Sequence, residues 1–224
     1  PWKFAGTSSY YEAIKATAEY LIAEEGAQKF CLMILPTDFG KEIEAAVHEL
    51  AEAGEIEMGA EISHKPDESD FTGALGRVKE SGCDTVGMAL GVSQQINAIA
   101  TANKLDMDVR FMLSGAGWQD LEARAGEPEV AEWIAKYKEA TGEDLPSTGA
   151  LLGYGGATTM VKALEAAGPD LTHESFIAAM ESLDYEDPIG GNHVDYSAED
   201  HVGADEVFVS RIENGSWTLV QTLE

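Results

Sequence analysis

The chain has 224 residues, 44% hydrophobic and 8% aromatic, which is apolar enough to build a packed core and argues against a disordered chain. Forty-one acidic residues against 14 basic ones leave a formal net charge of −27, which repels phosphate backbones and anionic lipid and weighs against nucleic acid as a partner. No apolar run approaches the roughly 20 residues of a membrane-spanning helix.

The opening Pro1-Trp2-Lys3-Phe4 lacks the charged region and apolar stretch of a secretory leader, as expected of a mature chain whose leader has been removed, or of a truncated one. Ser9-x-x-Glu12 is a capping box that starts a helix with Ile14, Ala18, Leu21 and Ile22 on its apolar face and Gly26 at its stop. A short apolar strand follows over 30–35. Asp38 then reads as the N-cap of a helix carrying Ile43, Val47, Leu50 and Ala51, closed by Gly54. A strand over 56–62 precedes a helix capped by Asp70, with Phe71, Leu75 and Val78 inward and Gly82 at its end. A third strand spans 85–90, Ser93 caps a helix with Ile96, Ile99 and Leu105, and a fourth strand spans 109–113. Beyond this point three helices arrive with no strand between them: one from Glu127-Pro128 to Gly142, one over about 150–167, and one from Thr172 through Met180. Two apolar segments, 207–212 and 217–220, flank Asn214-Gly215 and predict a terminal hairpin.

Strands alternating with helices of this length imply an α/β fold with a doubly wound parallel sheet covered on both faces. Right-handed crossovers place the C-terminal ends of its strands on one edge, where ligands bind in open sheets. The candidate binding residues are therefore Asp38 and Phe39, His64, Val92 and Ser93, and Ser114 and Gly115. Tyr10 and Phe39 either pack locally or form one wall of a ligand site. Ser8, Ser9 and Ser93 read first as caps, although a capped helix start also holds a carboxylate.

Enzymatic signatures are missing. Gly153-Tyr154-Gly155-Gly156 falls short of a dinucleotide fingerprint, because Thr158 stands where the third glycine belongs and no strand precedes it. There is no phosphate-binding GxxxxGK[ST] loop and no GxSxG elbow. The acidic and lysine partners that would make Asp38 a phosphoacceptor are not placed, so capping is its better reading. The five histidines are scattered and no metal site or cofactor is expected of them; His64 is notable for lying on the strand-end edge, where a histidine is ordinarily a solvated loop residue. Cys31 and Cys83 sit near the starts of two strands, where free buried thiols are common; they pair only if those strands are neighbours. No CxxC or His/Cys cluster predicts structural zinc.

Several segments together resemble a family. Pro36-Thr37-Asp38-Phe39-Gly40 resembles the D-x-x-[YF]-G turn of type I periplasmic solute-binding proteins of ABC importers, which include the branched-chain (Leu/Ile/Val-type) amino acid-binding proteins. Asp70-Phe71, Leu75 and Gly82-Cys83-Asp84-Thr85-Val86 are similar to their D-F-x-x-x-L…G-x-D-x-V segment. Val130 to Trp133 with Tyr137-Lys138 and Thr141-Gly142 is similar to a late helix, and Gly153-Tyr154 with Ala157 to a Y-D-A helix start in which glycine replaces the acid.

The resemblance implies two α/β lobes that close on a solute, a permease in the membrane as partner, no cofactor, no catalysis, and a monomer in the periplasm or anchored outside the cell as a lipoprotein. It also implies that the chain is partial and lacks the first βαβ series of the other lobe. The expected division is a complete ligand-binding lobe formed by 1–116 and 186–224, and the helical part of the other lobe at 117–185. The ligand positions it implies are Phe39, Val92 with Ser93, and Ser114 with Gly115. The family's acid at the last position and tyrosine near Val92 are absent, so the solute is an amino acid, an amide or a less polar molecule. A sensory ligand-binding domain of the same fold is the alternative.

Overall fold

The structure, a computed structural model, describes residues 3–113, 119–213 and 215–223. It forms two compact units: residues 9–113, and residues 3–8 together with 119–223.

In the first unit, α1 (Tyr10–Glu25), β1 (Lys29–Ile34), α2 (Asp38–Glu52), β2 (Glu57–Ser63), α3 (Thr72–Ser81), β3 (Thr85–Ala89), α4 (Val92–Lys104) and β4 (Arg110–Leu113) follow one another. The strands form one wholly parallel sheet in the order β2-β1-β3-β4. Alternation along β1 divides the core. Phe30, Leu32 and Ile34 face Ile14 and Ala18 of α1 and Ile43, Val47 and Leu50 of α2. Cys31 and Met33 face Leu75 and Val78 of α3 and Ala98 and Ala102 of α4. Both faces of β1 and β3 are buried, which is why these strands read as continuous apolar runs.

Helix starts differ from expectation at three points. Thr37, not Asp38, caps α2, its Oγ1 accepting from the Gly40 N–H at 3.3 Å. Asp70 precedes the cap residue Phe71 but still accepts from the Thr72 N–H at 2.9 Å. Gly91, not Ser93, is the cap of α4; the Gln94 side chain reaches back to the Gly91 N–H at 3.2 Å, so the first turn begins two residues early. The Ser9/Glu12 capping box and the left-handed Gly26 form as expected.

Cys31 and Cys83 form a disulfide. The parallel register pairs Cys31 with Val86, so the start of β3 brings Cys83 alongside. Gly59 of β2 lies over the bond, where a Cβ would overlap both sulfur atoms. At this place the β1–β2 register shifts by one residue, so that Gly59 and Ala60 together stand opposite Cys31.

The second unit contains α5 (Pro128–Thr141), α6 (Thr148–Ala167), α7 (His173–Met180), the antiparallel pair β5 (Asp184–Asp187) and β6 (Asn192–Asp195), and the antiparallel hairpin β7 (Val207–Glu213) and β8 (Ser216–Leu223). The β5–β6 hairpin was not legible in the sequence. Its Val194, with Tyr196 beyond it, packs on Ala163 of α6 and Met180 of α7. The 188–191 turn is held by Arg124, which donates to the carbonyls of Ile189 at 2.9 Å and Pro188 at 2.7 Å. Residues 186–223 therefore group with the three helices, not with 9–113 as the sequence division expects. The hairpin supplies an apolar cover the helices otherwise lack. The chain start joins this unit through Ala5, whose N–H donates to the His201 carbonyl at 2.8 Å.

Candidate functional site

Strand order reverses between β1 and β3: β1 leads through α2 to one neighbour, β3 through α4 to the other. The loops after these two strands diverge to opposite faces, the arrangement that in open sheets marks the C-terminal edge as the place of ligand binding. Gly40 lets α2 start tight against it, since a Cβ there would overlap the Leu35 carbonyl oxygen. Phe39 lies in the first turn of α2 and meets Tyr10, first residue of α1, edge to face at 4.5 Å between ring centroids. Tyr10 is 43% exposed and held by its N–H to Glu42 at 3.1 Å. On the other side of the switch point Val92 opens α4 and is 72% exposed. Asp38 is solvated and pairs with Lys41 at 3.4 Å. Ser93 is exposed in the first turn of α4. Ser114 and Gly115 lie outside the described residues.

His64 does not stand on the open edge. Its side chain is 1% exposed and packs against the Phe71 ring, 5.1 Å between centroids. Nδ1 lies 3.1 Å from Glu68, but neither ring nitrogen makes a directed hydrogen bond. Around it, Gln94 donates to the carbonyls of Lys65 and Glu68 at 2.9 and 3.2 Å, closing the 64–70 loop. The Lys65 backbone N–H holds the Glu68 carboxyl below the usual carboxylate range, with His64 adding to it. The histidine thus braces a loop of the edge from beneath. A burial signal was present in Ile62-x-His64, whose alternation points both residues to one face.

The second unit holds a concavity that sequence reasoning missed, a cavity of about 340 Å³. Phe4, Met160 and Phe176 make apolar walls, and Thr159, Asp187 and Asn192 line it with polar groups. Asn192 is buried and its Oδ1 has no partner. Thr159 Oγ1 and the Tyr185 hydroxyl lie 2.9 Å apart.

None of the described edge residues groups as metal ligands. The one such grouping among the described residues lies between α2 and β2 and includes Glu44, four residues before His48, a helical pair the sequence reading passed over.

The family model described as periplasmic binding protein matches residues 1–216, and the chain belongs to that family. No curated protein matches the chain in sequence. Solved structures agree in fold. A fatty acid ABC transporter substrate-binding protein from Thermomonospora curvata superposes with a TM-score of 0.81 at 18% identity, covering 99% of this chain and 64% of that one. A branched-chain amino acid ABC transporter protein from Thermus thermophilus with bound valine gives 0.81 at 19% identity, over 97% and 66%. A solute-binding protein of an ABC transporter from Rhodopseudomonas palustris BisB5, in complex with 3,4-dihydroxybenzoic acid, gives 0.76 at 20% identity, over 97% and 66%. The chain thus spans just under two thirds of the length of these structures, and its fold is that of type I periplasmic binding proteins.

Proposed function

We propose that this chain is the solute-capturing part of an extracytoplasmic binding protein that delivers to an ABC importer. The observation that carries the reading is the strand-end edge at the β1/β3 switch point, where Tyr10 and Val92 are exposed and the half-buried Phe39 meets Tyr10 edge to face. These side chains form one apolar wall of the site, and lobe closure brings the opposing wall. The solute is an amino acid or related small molecule that places an apolar group against Phe39. One comparison structure is named for bound valine; the other two are named for a dihydroxybenzoate and for fatty acid transport, carboxylic acids that also carry an apolar portion.

The three helices of the second unit are, in this reading, the helical part of the other lobe. The cavity beside Asn192 is then the inner side of that lobe's core, open toward sheet strands that this chain does not carry. A periplasmic or extracellular location follows from the importer role, and the Cys31–Cys83 disulfide supports it, since such bonds persist in oxidising compartments. No helix among the described residues is long and apolar enough to cross a membrane.

The test is a thermal-shift screen of the full-length gene product against amino acids, amides, benzoates, fatty acids and nucleotides. A ligand at 100 times its Kd adds about 2.7 kcal/mol and raises the melting temperature visibly. The expected result is a shift with one solute class that weakens in Phe39→Ala. Response to nucleotides alone would overturn the proposal.

A further inference from the structure

A parallel strand that alternates regularly sends every second side chain to the same face. In β2, Met58 packs into the core shared with α1 and α2, so unbroken alternation would send Ala60 and Ile62 there and turn Glu61 toward α3. The register shift at Gly59–Ala60 reverses this. Ala60 and Ile62 join the α3/α4 core, and Glu61, now in register with Leu32, faces α2. Bulges commonly re-aim side chains in this way. Here the bulge occurs where Gly59 gives way to the disulfide. A carboxylate is thereby turned under a helix, on the edge strand of the sheet.

What it meets there is His48, whose Nε2 lies 2.9 Å from Glu61 Oε1. Glu44 stands one helical turn before His48 on the same face of α2. One ligand atom from each of the three residues lies within 4.8 Å of the other two. Tetrahedral zinc bonds of 2.0–2.1 Å separate their ligands by roughly 3.3 Å, so small side-chain rotations bring all three onto one ion. Among the described residues neither carboxylate has a lysine or arginine ion-pair partner, and His48 is 40% exposed, which leaves an entry path. His193 makes the contrast: its two ring nitrogens turn to different carboxylates, Asp184 at 3.2 Å and Glu186 at 2.9 Å, and no shared centre arises.

We propose that Glu44, His48 and Glu61 bind a divalent transition-metal ion of the zinc class, tying α2 to edge strand β2. One imidazole with two carboxylates suits zinc and its neighbours rather than calcium or magnesium, which take oxygen ligands. Three protein ligands leave a position for water, so the site is exchangeable. The net charge of −27 raises the local concentration of any cation and favours capture.

The experiment is isothermal titration of zinc chloride into the metal-free chain at neutral pH, with Co²⁺ absorption as a second readout. The expected result is one saturable equivalent whose affinity falls at least about tenfold in His48→Ala and in Glu61→Gln, the scale on which even outer ligand partners act. His193→Ala should titrate like the parent. Glu61→Gln keeps a hydrogen-bonding side chain at the same place, so a folded variant that loses the ion separates ligand loss from fold loss. Weak, unsaturable uptake that is the same in His48→Ala and the parent would overturn the proposal.

Discussion

Helices α2 and α6 both carry apolar residues along their length and meet different fates. In α2, Ile43, Val47 and Leu50 are wholly buried against the sheet of residues 9–113. In α6, Leu152 and Val161 are 58% and 53% exposed, although that helix has the higher apolar content of the two. Periodicity makes a helix, but burial needs a partner surface, and the two units differ in having one. The first unit closes a parallel sheet on both faces. The second has two small hairpins and leaves an apolar helix face and a cavity open. A self-sufficient core therefore predicts that stability resides in residues 9–113.

That contrast breaks most directly in the cores. Phe71→Ala, which truncates a fully buried ring, should cost about 3–5 kcal/mol in urea unfolding. Val161→Ser should move stability by no more than about 0.5 kcal/mol. Equal costs would mean that α6 is covered in solution. Next in size is the disulfide. The Cys31→Ala, Cys83→Ala double variant releases a loop with a sequence separation of 52 and should lose about 2–4 kcal/mol. Gly59→Ala should cost about 1–3 kcal/mol with the disulfide present and less without it, because the added methyl meets the sulfur atoms. Additive effects would remove the link between glycine, bulge and disulfide.

The smallest effect sharpens the other unit. The Glu186 carboxylate, accepting from His193 Nδ1, raises the histidine above its ordinary value of 6.5, with Asp184 and Asp195 adding to it. A raised folded-state value stabilises fully below about pH 6.5 and is lost as pH climbs through the folded value. The second unit should therefore weaken from pH 6.5 upward, and His193→Gln should flatten that slope. The histidine is 40% exposed, so the effect is modest. An unchanged pH profile in His193→Gln would show that the cluster does not couple to folding.

Much of this molecule was legible in order and kind. All four strands and four helices of the first unit follow from apolar periodicity and from stops such as Gly26 and Gly82, because these signals act within a single turn or strand. The strand-end edge followed from the β-α alternation alone, and with it the placing of Phe39 and Val92. The β5–β6 hairpin escaped because Asp184-Tyr185-Glu186-Asp187 is mostly acidic and looks like a loop. Its strand character comes from packing Val194 and Tyr196 onto α6 and α7, contacts between residues distant in the chain.

The sequence by itself determined which segments become helix or strand, where most of them end, and which residues stand at the C-terminal edge of the parallel sheet. Those outcomes rest on local sterics and on the alternation of apolar residues, which a few neighbours suffice to set. Only the tertiary structure decided that Cys31 joins Cys83, that His64 is buried beneath its loop, that Val194 and Tyr196 pack on the later helices, and that Glu61 turns toward His48. Each of these depends on register between residues far apart in the chain, and a shift of one residue in β2 is enough to send a side chain to the opposite face.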